Sequence, residues 1–329
     1  STYIQFMPAA QQKGVRYMHY GNTMLEPVNF VAPSTLMAGF SKRYVASVIE
    51  QEQQVGADVL ISPYFFVDRL TDHDWLDATI QVWKDTHDYI RNHPVDSTLY
   101  YGLFLSEELF KSKPEIQTLA VIISQVQFVK NLYLRIESKR LRSRPFSDQV
   151  HLENLRDFIA YVARSKNILL ASSGAEGLGL LNYGLNAFST NPEFSKRKFS
   201  MEDKQPRHGG QTPMPRLFSR RLLNELLLLQ EVDKLLALGD ARITELFECS
   251  CAYCPNRDPD SLKLHFLTNM DQMFSAILAA PLGASRGGLF ASLLQAAKQG
   301  YAEISRHSEI ELEDESSGTF LDTWTAVFT

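Results

Sequence analysis

Five times between residues 41 and 189, a stretch with apolar side chains at helical spacing gives way to a short run of continuous apolar residues. Ser41 stands where it can cap a helix over Lys42–Gln54 that stops at Gly56, and the run Ala57–Pro63 follows. A helix over Asp72–Asn92, with Trp75, Leu76, Ile80, Trp83, His87 and Ile90 on its face, leads to the run Thr98–Ser106. Helices over Glu115–Ser124, Asp148–Arg164 and Glu176–Tyr183, the last closed by Gly184, lead to runs at Asn131–Glu137, Asn167–Gly174 and Asn186–Ser189. Unbroken apolar runs suit strands covered on both faces, and their alternation with helices points to parallel βα units. A further short strand is expected at Asn29–Pro33.

At 329 residues two architectures fit, the closed eightfold barrel and the open doubly wound sheet. Short strands followed by polar loops favour the barrel. The expected fold is therefore α/β: a (β/α)8 TIM-like barrel over 1–240, a cysteine-bearing segment with packed helices over 241–310, and a tail over 311–329. Within this plan, residues 190–217 read as a long polar loop, and Ser219 caps a Leu-rich helix across Arg221–Leu238. Two amphipathic helices are expected over Leu262–Leu278 and Leu289–Ile304. An acidic stretch, Glu309 to Glu315, precedes an apolar end with Phe320, Leu321, Trp324 and Phe328, which reads as a docking surface for a protein partner or a second copy.

All three cysteines of the chain fall between Cys249 and Cys254, in the pattern Cys-x-Cys-x-x-Cys. Such close neighbours pair badly as disulfides, and one bridge would leave an odd thiol. Three thiolates on a short turn suit a tetrahedral zinc ion, which takes a fourth ligand. His265, the nearest histidine downstream and one turn into a helix, completes the set Cys249, Cys251, Cys254 and His265. A structural zinc fits this donor set better than a catalytic one, which keeps an open position. Three reduced cysteines in an ordinary loop are the alternative.

Polar residues at the strand ends are the other candidates for chemistry. Asp68, Glu137 and Glu176 could supply a pair of carboxylates for acid–base work, and Arg135, Ser173, Gly174, Gly177 and Ser189 could contact a ligand. Glycines at a helix start let backbone N–H groups approach an anion, but their order here is not the dinucleotide fingerprint. Helix capping, surface ion pairing and close packing are the plainer readings of the same residues.

The net charge of −5 gives no global attraction to nucleic acid, so any such binding needs a local patch. Two basic runs qualify: one from Lys130 to Arg144, and one holding Lys196, Arg197, Lys198, Arg216 and Arg220. A solvated charged face explains them equally well. No apolar run reaches membrane-spanning length, no basic-then-apolar leader opens the sequence, and the clustered thiols suit a reducing cytoplasm.

The cysteine motif, the following histidine-bearing helix and the βα rhythm together resemble the tRNA-guanine transglycosylase superfamily. Asn167–Gly174 is similar to that family's strand ending in a glycine-containing substrate loop. Tyr183–Ser189 resembles its Gly-Val-Asp-Met-Phe-Asp strand. The resemblance implies a (β/α)8 barrel with a zinc-binding insertion, and exchange of guanine for a queuosine-type 7-deazaguanine in tRNA or DNA. It also places Ser189 at the position of the family's nucleophilic Asp and Asn186 at the preceding Asp. Ser62-Pro63-Tyr64-Phe65 stands where the family has an essential Asp beside Ser-Gly-Gly. His265 lies closer to the third cysteine than the family's fourth ligand does. A neutral hydroxyl needs an adjacent base to act as a nucleophile. The implied protein therefore binds nucleic acid or a purine-like base and exchanges it with Ser189 in place of the Asp, recognises it without exchanging it, or cleaves a glycosidic bond through Asp68, Glu137 or Glu176.

Overall fold

The computed structural model describes residues 41–70, 74–137, 148–192 and 214–329. The strand expected at Asn29–Pro33, most of the basic run at 130–144 beyond residue 137, and Lys196, Arg197 and Lys198 lie outside the described residues. Chain contacts divide the protein into two compact units. The described part of the first is 41–70, 74–137 and 161–171; that of the second is 148–160, 172–192 and 214–329.

The first unit is α/β with a parallel sheet. Helix α1 (Ser41–Gln54) precedes strands β1 (Val59–Ile61) and β2 (Phe66–Val67), and α2 (Asp74–Asn92) leads to β3 (Thr98–Leu105). Helix α3 (Lys113–Gln125) leads to β4 (Asn131–Ile136), and β5 (Asn167–Ala171) follows α4 (Gln149–Val162), most of which belongs to the second unit. The strands lie in the order β1-β3-β4-β5, all parallel, with β2 also pairing β3. Ile61 pairs with Tyr100 and Phe66 with Phe104, so one extra residue bulges from the edge between β1 and β2.

The continuous apolar pattern read from the sequence is realised as burial on both faces: Leu132 to Ile136 are all buried, Arg135 included. Trp75 and Trp83 sit in the core, and the Trp83 indole N–H donates to the Gly102 carbonyl at 2.9 Å. Lys166 closes the end of α3, its ammonium donating to the Ser124 and Val126 carbonyls. Burial first, then the nearby Lys130, lowers the pKa of that ammonium.

In the second unit a short helix α5 (Glu176–Leu180) and a 3-10 turn end at Gly184, whose φ of 96° makes the left-handed cap that glycine adopts without strain. Strand β6 (Ala187–Phe188) follows. The Leu-rich helix expected across Arg221–Leu238 forms only at its far end. Strands β7 (Arg216–Ser219) and β8 (Asn224–Leu227) make an antiparallel hairpin, a π-turn covers Leu228–Val232, and α6 spans Asp233–Ala237. A run of leucines carries no period that separates a buried strand from a buried helix. The pairing partner at Arg216–Ser219 decides between them. Ser219, expected as a helix cap, instead donates to the Leu246 carbonyl at 2.6 Å and accepts the Leu222 N–H, tying the hairpin turn down.

Helices α7 (Ala241–Leu246), α8 (Pro259–Ala279), α9 (Ala284–Ile304) and α10 (Phe320–Phe328) complete the unit. Leu217, Leu222, Leu226, Val232, Leu235, Ile243 and Ile304 form one apolar core. The apolar end of the chain is not a free docking surface: Phe320, Leu321, Trp324, Val327 and Phe328 are buried within this unit, with the Trp324 ring 4.5 Å from Phe320 and 6.5 Å from Phe290. Its amphipathic pattern was satisfied by its own chain.

Candidate metal centre

Helix α8 is built to present one buried histidine. Asp258 caps its start, accepting from the Asp260 and Ser261 N–H groups at 3.1 and 3.0 Å, and Pro259 occupies the first turn, where its missing N–H is harmless. Leu262, His265, Phe266, Asn269, Met270, Met273 and Ile277 recur on one buried face. Phe266 meets the Phe218 ring of β7 edge-on at 5.3 Å, which sets the helix against the hairpin. In that position the His265 Nε2–H donates to the Phe218 carbonyl at 2.7 Å.

A carbonyl only accepts, so this bond puts the ring proton on Nε2 and leaves the Nδ1 lone pair facing the other way. It faces the cysteines. Nδ1 lies 3.2 Å from Cys251 Sγ and 3.0 Å from Cys254 Sγ, and those two sulfurs are 3.4 Å apart. One donor atom each from Cys249, Cys251, Cys254 and His265 lies within 4.8 Å of all the others. Around a tetrahedral zinc, bonds of about 2.3 Å to sulfur and about 2.05 Å to nitrogen put sulfurs about 3.8 Å apart and sulfur about 3.6 Å from nitrogen. The Cys251, Cys254 and His265 atoms stand a few tenths of an ångström closer than that, and the full set of four lies within 4.8 Å. Three thiols and a correctly protonated imidazole can hold a metal ion, and their chemistry is compatible with zinc.

The outer contacts suit the same purpose. The Cys251 N–H points at Cys249 Sγ at 3.4 Å, and Asn269 Nδ2 reaches that sulfur at 3.5 Å. Burial pulls the Cys249 thiol upward, but the Cys251 N–H, the Asn269 side chain and the other two thiols outweigh it and hold it below the ordinary thiol value. Burial pushes the Cys254 thiol well up, and the Cys251 and Cys249 sulfurs add to that. All three cysteines are half-buried, while His265 and Asn269 are buried. Asn269 was missed in the sequence. Its spacing of four residues from His265, on the same helical face, is the signal that marks it.

The remaining sequence candidates fall in both units. Asp68 follows β2, is partly exposed and lies 3.7 Å from Arg69. Arg135 and Glu137 are buried at the carboxyl end of β4, on the face that also carries Gly102 and Phe104 of β3 and Ser106 just beyond it. Arg135 stacks over the Phe104 ring at 5.7 Å, and Ser106 Oγ donates to Glu137 at 3.3 Å. The Tyr64 ring covers Gly102 so closely that an added Cβ would lie 2.2 Å from it.

In the second unit, Glu176 is buried and accepts from Ser173 Oγ at 3.0 Å and from the Gly174 N–H at 2.6 Å. The donors expected to cradle an anion therefore hold the chain's own carboxylate. Gly177 makes room for the Phe188 ring, 2.8 Å from where its Cβ would stand. Ser189 Oγ accepts the Ser172 N–H at 3.0 Å, holding a residue whose φ of 58° is left-handed. Arg216 bonds Glu315 at 3.0 Å and Glu313 at 3.5 Å, and Arg220 is exposed.

No family model matches this chain, and no match is found among the curated proteins or the solved structures. No helix among the described residues is long and apolar enough to cross a membrane.

Proposed function

We propose that this chain is a transglycosylase-like protein that recognises a purine or 7-deazaguanine-like base, carried in tRNA or DNA, and does not exchange it. Its parallel βα units form a TIM-like barrel, and Cys249, Cys251, Cys254 and His265 hold a structural zinc. The observation that carries this reading is the committed geometry of the cysteine–histidine set, with the Nε2 proton of His265 fixed on the Phe218 carbonyl and Nδ1 turned to the sulfurs. That outer bond is the usual companion of a metal-ligating histidine. A closed set of four protein donors leaves no position for substrate, which is the mark of a structural site. When bound, the zinc would supply a covalent staple between the loop carrying the cysteines and helix α8.

Recognition without exchange is supported at Ser189. By the resemblance, Ser189 takes the place of the carboxylate nucleophile that base exchange needs, and its neutral hydroxyl is engaged with the Ser172 N–H. The buried Arg135 over the Phe104 ring, with Tyr64 against that ring and the buried Glu137 at the carboxyl end of the same parallel sheet, supports a planar polar ligand in the first unit.

The test uses the full-length zinc-loaded chain with fluorescently labelled tRNA and duplex DNA. Binding should weaken linearly on a log–log plot against salt. About three phosphate contacts would give a slope near −2.7, or about 40-fold between 50 and 200 mM. Radiolabelled guanine should not enter either nucleic acid. No binding at low salt refutes the reading, and guanine incorporation refutes its non-exchanging part.

A further inference from the structure

We infer that Asn269 is a positioning residue for the metal: its side-chain amide hydrogen-bonds the Cys249 sulfur and sets that thiolate in register with His265. The inference rests on the metal reading above and adds a residue that is not itself a ligand.

The amide's orientation follows from chemistry. Nδ2 lies 2.9 Å from the His265 carbonyl oxygen, which only accepts, so the nitrogen and not the oxygen occupies that position. One N–H of the amide is spent there. The other has two acceptors within reach, Cys249 Sγ at 3.5 Å and His265 Nδ1 at 3.3 Å. A metal on Nδ1 takes up that lone pair, which leaves the sulfur as the acceptor of the second N–H. Asn269 Oδ1 lies farther from the same sulfur, at 3.8 Å. A metal-bound thiolate has no proton to give that oxygen and turns to the N–H.

Asn269 is also placed to act on both sides of the site at once. It is buried, it sits one turn beyond His265 on α8, and it is pinned to the histidine's own backbone. Cys249, by contrast, belongs to a half-buried loop, joined to α8 only through the chain that contains Cys251 and Cys254. The Cys251 N–H supplies a second donor to Cys249, but it moves with the loop. Asn269 is therefore the fixed donor that tells the first cysteine where the histidine is. Outer-shell partners of this kind change metal affinity about 10–100-fold.

The experiment compares full-length wild type with Asn269→Leu. Two quantities are read: zinc affinity, by competition with a chromophoric chelator, and the sulfur-to-cobalt charge-transfer band after substitution with Co(II). The expected result is a zinc affinity about 10–100-fold weaker in Asn269→Leu, with the cobalt band moved to lower energy. A thiolate that loses an N–H bond gives up its electrons more readily. Asn269→Ser, whose hydroxyl is too short to reach the sulfur, provides the same test should the leucine variant fail to fold, and should show the same shift. Wild-type uptake of both ions with unchanged affinity and band in the variants overturns this inference alone. Weaker affinity with an unmoved band makes Asn269 a packing residue and overturns it too. A wild-type chain that takes up neither zinc nor cobalt overturns the metal reading and this inference with it.

Discussion

Replacing His265 by Leu separates what the metal contributes from what the histidine contributes as a packed side chain. The ring makes two kinds of bond: Nδ1 faces Cys251 and Cys254, and Nε2–H satisfies the Phe218 carbonyl at 2.7 Å. Losing the second leaves a buried carbonyl without that donor, which costs about 1–3 kcal/mol whether or not metal is present. Losing the first acts through linkage. At free zinc 100 times the dissociation constant, the ion stabilises the wild-type fold by about 2.7 kcal/mol. An affinity lowered about 100-fold leaves only about 0.4 kcal/mol at the same zinc concentration. The variant should therefore lie about 3–5 kcal/mol below wild type in zinc, and only about 1–3 kcal/mol below it in chelator. Urea unfolding of the full-length chain, with and without chelator, reads all four states. The wild-type midpoint should fall on chelation and that of His265→Leu should barely move. Equal responses to chelator in the two proteins would refute the assignment of His265 as a ligand.

Acid should release the zinc, because protons compete with it for the sulfur and Nδ1 lone pairs; a colorimetric zinc indicator across pH 7.5 to 5 follows the release. Asn224→Leu should destabilise the second unit by about 2–4 kcal/mol in denaturant melts. Its amide donates to Tyr301 Oη at 2.7 Å and to the Ser316 carbonyl at 2.9 Å, and its oxygen accepts the Glu225 N–H at 2.7 Å. Trp324→Ala should cost about 3–5 kcal/mol, measured the same way, since the ring is fully buried between Phe320 and Phe290. Burial pushes the Tyr101 hydroxyl up to about 12 from 10.0, so the folded state keeps a proton the unfolded chain has lost. That stability is complete below pH 10 and fades as pH rises through about 12, and Tyr101→Phe should flatten the alkaline limb of a stability–pH curve.

The cysteine trio and His265 were legible from spacing alone, because a chelating turn needs only a few residues of chain to bring its sulfurs together. The strand–helix rhythm of residues 41–171 was equally local: β3, β4 and β5 fall where continuous apolar runs stand between helical patterns. The parallel pairing followed from those helices, which are the crossovers that parallel strands require. Neither property depends on a distant partner.

Tertiary structure decided the rest. Leu222 to Leu238 carry a pattern that serves strand and helix alike, and the hairpin exists because Arg216–Ser219 is there to pair with it. Glu176 is a carboxylate at a strand end in the sequence; only folding puts it onto the Ser173 and Gly174 donors that an anion would otherwise use. Arg216 belonged to a basic run until the chain returned, about a hundred residues later, with Glu313 and Glu315. The apolar end became core when α9 offered Phe290 to Trp324. Local spacing fixes what a short segment can chelate or coil into, since the atoms concerned are already neighbours. Whether a charge is free, or an apolar face covered, depends on residues far along the chain, and the sequence carries no record of which ones arrive.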